Sequence, residues 1–197
     1  MEYRTLGRTG LSVSCVGLGG EWLEGKSAEE VCTVIDSAVD CGMNYIDIFM
    51  PEPNVRSNIG SALKGRREKM LIQGHICTVY EDGQYKRTRD LSQTKEAFED
   101  LLSRLQTDYV DVGMIHYVDS AEDYAAVFDT EIITYAKSLK EEGKIHFLGL
   151  SSHNPEIALR AVQTGLIDVL MFSINPAYDF EDSAADIYSQ MEFSGLK

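Results

Sequence analysis

The segment 44-NYIDIFMPEPNVRSNIGSALKGRREKMLIQGH-75 carries the clearest signal of the fold class. It begins with a short apolar run of β-forming residues that ends at Asp47, and a loop with two prolines follows. Residues 57–63 have helical spacing, and a basic turn then leads to a second apolar run that ends near His75. This is a β-loop-α-β unit with a titratable side chain at each strand exit. In an α/β barrel, the catalytic residues lie at these exits.

The same alternation of strand and helix continues on both sides of this segment. Apolar runs predict strands at about 14–18, 45–47, 70–73, 110–115, 145–150 and 169–174. Helices are predicted after the Ser27/Glu30 capping box, over 57–63, after Ser92, over 124–142, after Asn154-Pro155 and over 184–191, with a polar loop over 78–89. Strands that are apolar on both faces indicate a parallel sheet covered by helices.

The composition places limits on the binding partners. The chain has 197 residues, 44% of them hydrophobic, and a net charge of −14. An acidic chain of this kind lacks the basic face that nucleic acid or an anionic membrane requires, so we expect a small-molecule partner. Neither a cleavable leader nor a run of about 20 apolar residues is evident, which predicts a cytoplasmic protein without a membrane span. No pattern in the sequence indicates an oligomeric state.

The four cysteines are widely separated and form neither a C-x-x-C pair nor a zinc-like cluster. They are predicted to be free thiols of a reducing compartment, mostly buried. Cys77 follows a strand exit and is expected to be the most accessible of them.

Four segments together resemble one enzyme family. They are YRTLGRTGLSVSCVGLGG from Tyr3, NYIDIF followed by Ile59-Gly60, DVGMIHYVD from Asp111, and KIHFLGLSSHNPE from Lys144. This combination resembles the aldo-keto reductases, and the resemblance extends from Tyr3 to about Asp179. It implies a (β/α)8 barrel that uses a nicotinamide cofactor to interconvert carbonyls and alcohols, with an N-terminal hairpin closing the bottom of the barrel.

The chain is short for such a barrel. A (β/α)8 TIM barrel has eight strands and typically about 250 residues, whereas the alternation here stops after six strands. We therefore expect an α/β fold in which residues 1–197 form one aldo-keto reductase-like barrel domain, incomplete at about six βα units, with its C-terminal part missing. The resemblance places the phosphate-binding residues in that missing part, so the choice between NADP and NAD stays open.

The resemblance also suggests catalytic residues, two of which depart from the family pattern. The family uses a Tyr as proton donor, aided by a Lys–Asp pair, and a His that orients the carbonyl. Asp47 and His116 match the Asp and the His, but Glu52 stands where the Tyr is expected and His75 where the Lys is expected. An atypical site is therefore predicted, in which Glu52 donates the proton and His75 relays it with His116. The alternative is a catalytically weak or non-enzymatic barrel.

The expected cofactor-binding residues lie at the exits of other strands. Gly19 and Gly20 let the backbone come close to a ligand. By resemblance, Ser151 and Ser152 lie where the family binds the nicotinamide carboxamide, and Met171 replaces a Gln that commonly serves the same group.

Two further interpretations involve metals. His75, His116 and His153 follow successive strands and could converge with Asp47 and Glu52, which are the ligand types of a Zn or Fe(II) enzyme. The segments FMPEPNVRSNIG and GHICTVY also resemble a bacterial subgroup with a 4Fe-4S centre. The cysteines of that cluster would lie beyond Lys197.

Overall fold

The protein is described by a computed structural model over residues 1–174. In this part of the chain there are ten strands: β1 (Tyr3–Thr5), β2 (Ser12–Ser14), β3 (Leu18–Gly19), β4 (Tyr45–Ile48), β5 (Leu71–Ile76), β6 (Thr78–Glu81), β7 (Gln84–Arg87), β8 (Val110–Ile115), β9 (Ile145–Ser152) and β10 (Val169–Phe172). Six α-helices connect them: α1 (Ala28–Asp40), α2 (Pro53–Ala62), α3 (Leu91–Leu105), α4 (Ala121–Phe128), α5 (Glu131–Glu141) and α6 (Pro155–Gln163).

Six of the strands form one parallel sheet. Its order is β3-β4-β5-β8-β9-β10, which is also their order along the chain, and helices lie between successive strands. The predicted parallel sheet with alternating helices is therefore confirmed. Within residues 1–174, β3 and β10 are the edges of the sheet. The helix expected over 184–191 lies outside the described residues.

The local signals for two helix starts are also confirmed. Ser27 and Glu30 form a reciprocal capping box at α1, in which each side chain accepts a hydrogen bond from the backbone of the other residue. Asn154 caps α6 through its side-chain oxygen, with Pro155 in the first turn.

The N-terminal hairpin closes the end of the sheet opposite the strand exits. β1 and β2 pair antiparallel, as predicted. Leu6 between them packs against a small apolar cluster that contains Val112 and Met114. Arg8 donates from Nη2 to the carbonyl of Ile167, just before β10. The hairpin is thus tied to the amino end of the last described strand.

Three predictions about elements were wrong. The first sheet strand is confined to Leu18–Gly19, because Ser12–Ser14 pairs in the hairpin instead. The single helix predicted over 124–142 is two helices, because Thr130 ends the first helical run and caps α5 by accepting from the backbone of Ile132.

The third wrong prediction is the most consequential for the site. Residues 78–89 were expected to form a polar loop, but β6 and β7 form an antiparallel hairpin. Asp82 and Gly83 join the two strands with φ values of 54° and 75°. Asp-Gly with two positive φ angles is the signal of a type I′ turn, whose twist matches that of the paired strands.

The core lies between the sheet and its helices. All six residues of β8 are buried, which fits a strand covered on both faces. Helices α2 and α3 approach so closely that a Cβ on Gly60 would lie 2.3 Å from the carbonyl oxygen of Arg104. None of the helices described here is long and apolar enough to span a bilayer.

The prediction for the cysteines was right in one respect and wrong in another. All four thiols are free. Cys77, however, is only 1% exposed, because its side chain enters the main core, whereas Cys15 and Cys41 are exposed.

Candidate active site

Three of the four predicted catalytic side chains converge at the carboxyl ends of the strands. Asp47 lies in β4, His75 in β5, and His116 directly after β8. These strands are consecutive neighbours in the parallel sheet, so their exits share one edge. Asp47 pairs in register with Gln73, two residues before His75, so Asp47 and His75 project from the same face of the sheet and His75 lies nearer the strand exit.

The three side chains form a continuous chain of hydrogen bonds. Asp47 Oδ1 lies 2.9 Å from Nε2 of His75, and Nδ1 of His75 lies 2.7 Å from Nδ1 of His116. Both imidazoles are largely buried, and the His75 side chain is only 2% exposed. Each ring nitrogen of His75 therefore has a protein partner.

Tyr85 is a fourth member of this hydrogen-bond chain, and the sequence did not predict it. Its hydroxyl contacts Nε2 of His116, so the chain extends from Asp47 through both histidines to a phenol. Tyr85 belongs to β7, within the segment expected to be a loop. The Asp82-Gly83 turn could have predicted the hairpin, but no local signal specifies that Tyr85 meets a residue 31 positions away.

The proton positions follow from the bonding pattern, and we assign them on that basis. Burial, together with nearby positive charge, lowers the pKa of His116 to about 2, so this imidazole is neutral. With Asp47 as a carboxylate and His75 neutral, Nε2–H of His75 donates to Asp47 and its Nδ1 accepts from Nδ1–H of His116. Nε2 of His116 then accepts from the hydroxyl of Tyr85. Every hydrogen bond in this arrangement points towards Asp47.

The ring of Phe49 packs against three members of the hydrogen-bond chain. Its ring stacks on His116, with centroids 5.6 Å apart and planes 9° from parallel. It also makes edge-on contacts with His75 at 6.0 Å and Tyr85 at 5.7 Å. This apolar contact removes water from the imidazoles, which contributes to the burial that keeps His116 neutral.

Gln73, which the sequence analysis did not select, orients Asp47. The hydroxyl of Tyr45 donates to Oε1 of Gln73 at 2.8 Å, which fixes the direction of the amide. The Gln73 Nε2 group consequently faces Asp47 and donates to Oδ1 at 2.7 Å. Oδ1 thus contacts both Gln73 and His75, which fixes the orientation of the Asp47 side chain. Burial and the nearby Asp47 raise the pKa of Tyr45, so its hydroxyl stays protonated.

An ion-pair network anchors the hairpin that carries Tyr85. Arg87 and Arg89 both bind the buried carboxylate of Asp123, with Nη1–Oδ2 and Nε–Oδ1 distances of 2.8 Å. Both arginines also donate to the carbonyl of Tyr117, at 2.9 and 2.8 Å. Tyr117 has a φ of 54°, which is uncommon for a residue other than glycine. The arginines therefore hold both Tyr85 and the turn after His116.

A cavity of about 500 Å³ opens beside this hydrogen-bond chain. It is lined by Asp47, Phe49, His75, Tyr85, His116, Tyr117, Ser151, Ser152, His153, Met171, Phe172 and Ser173. Ser151 accepts from the backbone of Tyr117 at 2.8 Å, but its own donation to Ile115 spans 3.5 Å, so its hydroxyl proton is weakly held. Ser152 lies 3.0 Å from Asp119 Oδ1 and is more firmly engaged. Met171, on the edge strand, is 42% exposed.

Glu52 does not join the other predicted catalytic residues. Its carboxylate caps α2, accepting from the backbone of Val55 at 2.7 Å and from the side chain of Asn54 at 3.0 Å. It lines a separate cavity with Asn58 and Tyr80. Both oxygens of this carboxylate are therefore engaged at the start of α2 and lie away from the cavity that Asp47, His75 and His116 line.

The two glycines predicted at the cofactor have different surroundings. A Cβ on Gly20 would lie 2.8 Å from the backbone oxygen of Asp47, and Gly20 N donates to that oxygen at 2.8 Å. Gly20 therefore allows the first loop to pack against β4. A Cβ on Gly19 would meet nothing within 4 Å, and Gly19 lines a different cavity with Trp22.

The metal-enzyme interpretation lacks a ligand set in residues 1–174. No group of three or more His, Cys, Asp or Glu side chains there is placed to hold a metal ion. His75 and His116 bond to each other, and His153 bonds to Asp119 at 3.0 Å instead of joining them.

The fold and the site together define a class of protein. A parallel sheet with alternating helices carries Asp and His side chains at its strand exits beside a cavity. Residues 15–182 match the model of the Aldo/keto reductase family. The chain belongs to this family, and its sheet is consistent with part of a (β/α)8 barrel.

Comparison with individual proteins agrees with this assignment. The chain is 30% identical over 176 residues to YqkF, an uncharacterized oxidoreductase of Bacillus subtilis (strain 168), and 30% identical over 182 residues to L-galactose dehydrogenase of Arabidopsis thaliana. Each alignment covers 87% of this chain but only 56% of the relative. The holo form of aldo-keto reductase AKR11C1 from Bacillus halodurans superposes with a TM-score of 0.83 at 26% identity, covering 99% of this chain and 64% of that one.

Proposed function

We propose that the protein is an NAD(P)-dependent oxidoreductase that interconverts a carbonyl and an alcohol, using an active site in which His75 replaces the usual lysine. The main support is the hydrogen-bonded chain from Asp47 through His75 to His116, which ends at a cavity of about 500 Å³. Carbonyl reduction needs a proton at the oxygen as the carbon accepts hydride. The hydrogen-bond chain can deliver that proton to the substrate oxygen.

The residues around the cavity fit a nicotinamide cofactor. When bound, such a cofactor supplies or accepts the hydride. Its ring requires an apolar wall, and its carboxamide requires hydrogen-bonding groups. Met171 and the aromatic rings supply the wall. Ser151 supplies a hydroxyl whose proton is weakly committed within the protein, whereas Ser152 is occupied by Asp119. We therefore assign the carboxamide contact to Ser151 before Ser152.

Within this proposal each charged or polar group has a distinct task. Asp47 holds His75 through Nε2, so a positive charge on His75 would be paired at once. Outside the transfer step His116 stays neutral over the working pH range, and during transfer it accepts a proton at one nitrogen while it releases another from the second nitrogen. Gln73 fixes the carboxylate from the other side. Glu52 has a structural task at α2 and takes no part.

Cofactor binding provides the first test. Isothermal titration calorimetry with NADH and with NADPH should show saturable binding of at least one of them. His75→Gln should keep that affinity within about twofold and lower kcat for reduction of an aldehyde and ketone panel by at least about 100-fold, because the proton path is cut. His146→Gln, at the other end of β9, should leave both values unchanged. No binding of either cofactor would contradict the proposal.

The remaining expectations stay part of this proposal. Two further βα units would close the sheet into an eight-stranded barrel, and they would decide between NADP and NAD. The free cysteines suit a reducing compartment, and we propose the cytoplasm. A 4Fe-4S centre has no ligand set among the described residues.

A further inference from the structure

Tyr85 both contacts His116 and lines the cavity. Its hydroxyl contacts His116 Nε2, and its side chain lines the cavity where a substrate would bind. It comes from the β6–β7 hairpin, not from the loop after β4, where the resemblance places a tyrosine and this chain has Glu52. The phenol therefore contacts the buried hydrogen-bond chain and also borders the cavity.

We propose that Tyr85 exchanges the proton with the substrate oxygen, and that His116 conducts this proton to and from His75, whose positive charge the carboxylate of Asp47 balances. This inference rests on the proposed function and adds the residue that touches the substrate. It also gives the two histidines a direction of transfer.

The proton balance for reduction begins with a protonated His75. In that state Nδ1–H of His75 donates to Nδ1 of His116, Nε2–H of His116 donates to the oxygen of Tyr85, and the phenol O–H points at the substrate. The phenol proton moves to the carbonyl oxygen as hydride reaches the carbon. The phenol oxygen takes the proton from Nε2 of His116, and Nδ1 of His116 takes the proton from Nδ1 of His75. One proton leaves the His75 cation and one O–H bond forms on the alcohol.

Oxidation of the alcohol runs through the same atoms in reverse. The hydroxyl proton of the alcohol passes to the oxygen of Tyr85, and each hydrogen bond shifts by one step until His75 carries the positive charge beside Asp47. The C–H electron pair leaves as the hydride that the proposed function assigns to the cofactor. Because His116 is bonded on both nitrogens, it never has to rotate during transfer.

The surroundings of Tyr85 keep it in place. Arg87 and Arg89, two and four residues further along the chain, are fixed to Asp123 and to the carbonyl of Tyr117. Phe49 packs edge-on against its ring. Partial burial raises the pKa of Tyr85, so the hydroxyl keeps its proton until the substrate takes it. Such positioning before substrate binding is what proton transfer requires.

The test compares removal of the Tyr85 hydroxyl with removal of the Tyr80 hydroxyl on the same hairpin. Tyr85→Phe should lower kcat by at least about 100-fold while the calorimetric Kd for the cofactor stays within about twofold. Tyr80→Phe should change neither value, because Tyr80 pairs with Tyr85 in the hairpin but lines other cavities. In H2O/D2O mixtures, the wild-type rate should depend on deuterium fraction along a bowed curve, since several protons move together.

A fluorinated tyrosine gives a second readout that does not depend on how Tyr85→Phe folds. Fluorotyrosine at position 85 lowers the phenol pKa with little change of shape, so the alkaline limb of the kcat–pH profile should move to lower pH. The groups facing this phenol, which are His116, Tyr117, Arg87 and Arg89, are unchanged by the substitution. Fluorotyrosine at position 80 should leave the profile in place.

The outcomes separate this inference from the proposed function. A wild-type protein that binds neither NADH nor NADPH overturns both. Normal cofactor binding and turnover, with kcat of Tyr85→Phe within about twofold of wild type, overturns the role of Tyr85 alone. A linear dependence on deuterium fraction, or an unmoved pH profile with fluorotyrosine at position 85, overturns the relay.

Discussion

The Nδ1 atoms of His75 and His116 lie 2.7 Å apart, so only one of them carries a proton in this hydrogen bond. This single contact couples the two imidazoles: whichever tautomer His75 adopts determines that of His116. A lysine at position 75 would donate but could not accept, so the reversible path would be lost. The replacement of lysine by histidine therefore changes the type of proton transfer available to the site.

The free energy of unfolding should decrease as the pH falls, in part because His116 is buried in its neutral form. Its pKa is lowered to about 2 in the native state, from an ordinary value of 6.5, mainly because it is buried. Below pH 6.5 the unfolded chain binds a proton that the native chain does not, so this contribution to stability is present above pH 6.5 and is lost as the pH falls. Between pH 7 and pH 5, urea denaturation should show the wild type losing about 2 kcal/mol more free energy of unfolding than His116→Gln.

The matched control for that experiment is His146→Gln. His146 is exposed at the start of β9, and its loss should leave the wild-type pH dependence in place. Equal slopes for wild type and His116→Gln would mean that His116 is protonated in the native state at pH 5.

Glu52 should matter for stability and not for turnover. Glu52→Ala removes the acceptor for the backbone of Val55 at the start of α2, which should cost about 1 kcal/mol of the free energy of unfolding. Glu52→Asp should recover most of this loss, because a shorter carboxylate is a good helix cap. Rates should stay within about twofold for both variants; a large drop in kcat for Glu52→Ala would instead restore it as the proton donor.

The anchoring of the hairpin should depend on Asp123. Asp123→Asn removes the charge that Arg87 and Arg89 share in a buried position, and it should lower the free energy of unfolding by about 3 kcal/mol. It should also lower kcat, because Tyr85 loses its fixed position. Asp82→Asn, which weakens an exposed pair with Lys86 at the tip of the same hairpin, should leave the urea midpoint of unfolding close to that of the wild type. Similar losses in the two variants would argue against the anchor.

Gly60 should tolerate no side chain. A Cβ at this position would lie 2.3 Å from the backbone oxygen of Arg104 and 2.8 Å from the Cα of Leu105, so α2 and α3 must separate. Gly60→Ala should therefore lower the free energy of unfolding by about 2 kcal/mol despite the better helix propensity of alanine. Gly19→Ala, which meets nothing within 4 Å, should unfold at the wild-type urea concentration. A stable Gly60→Ala variant would show that the two helices can shift at little cost.

Much of the fold could be predicted because its signals are local. The run from Val110 to Ile115 forms a strand over the same residues that its apolar pattern predicts. The capping box at Ser27 likewise acts within a single turn. Where the local pattern had two outcomes, prediction failed: the β6–β7 segment is polar enough for a loop, but its Asp82-Gly83 turn and its packing beside His116 make it a hairpin.

The order of strands and helices, and the position of Asp47, His75 and His116 at strand exits, can be read from residue patterns, because periodicity and caps act over a few residues. Which of these side chains meet depends on how the strands and the hairpin pack in three dimensions. Tyr85 reaches His116 because the β6–β7 hairpin folds back over the carboxyl ends of the strands. Glu52 turns towards the start of α2, where its carboxylate accepts from the backbone N–H of Val55. Such contacts depend on side-chain directions across long sequence separations, which residue patterns do not encode.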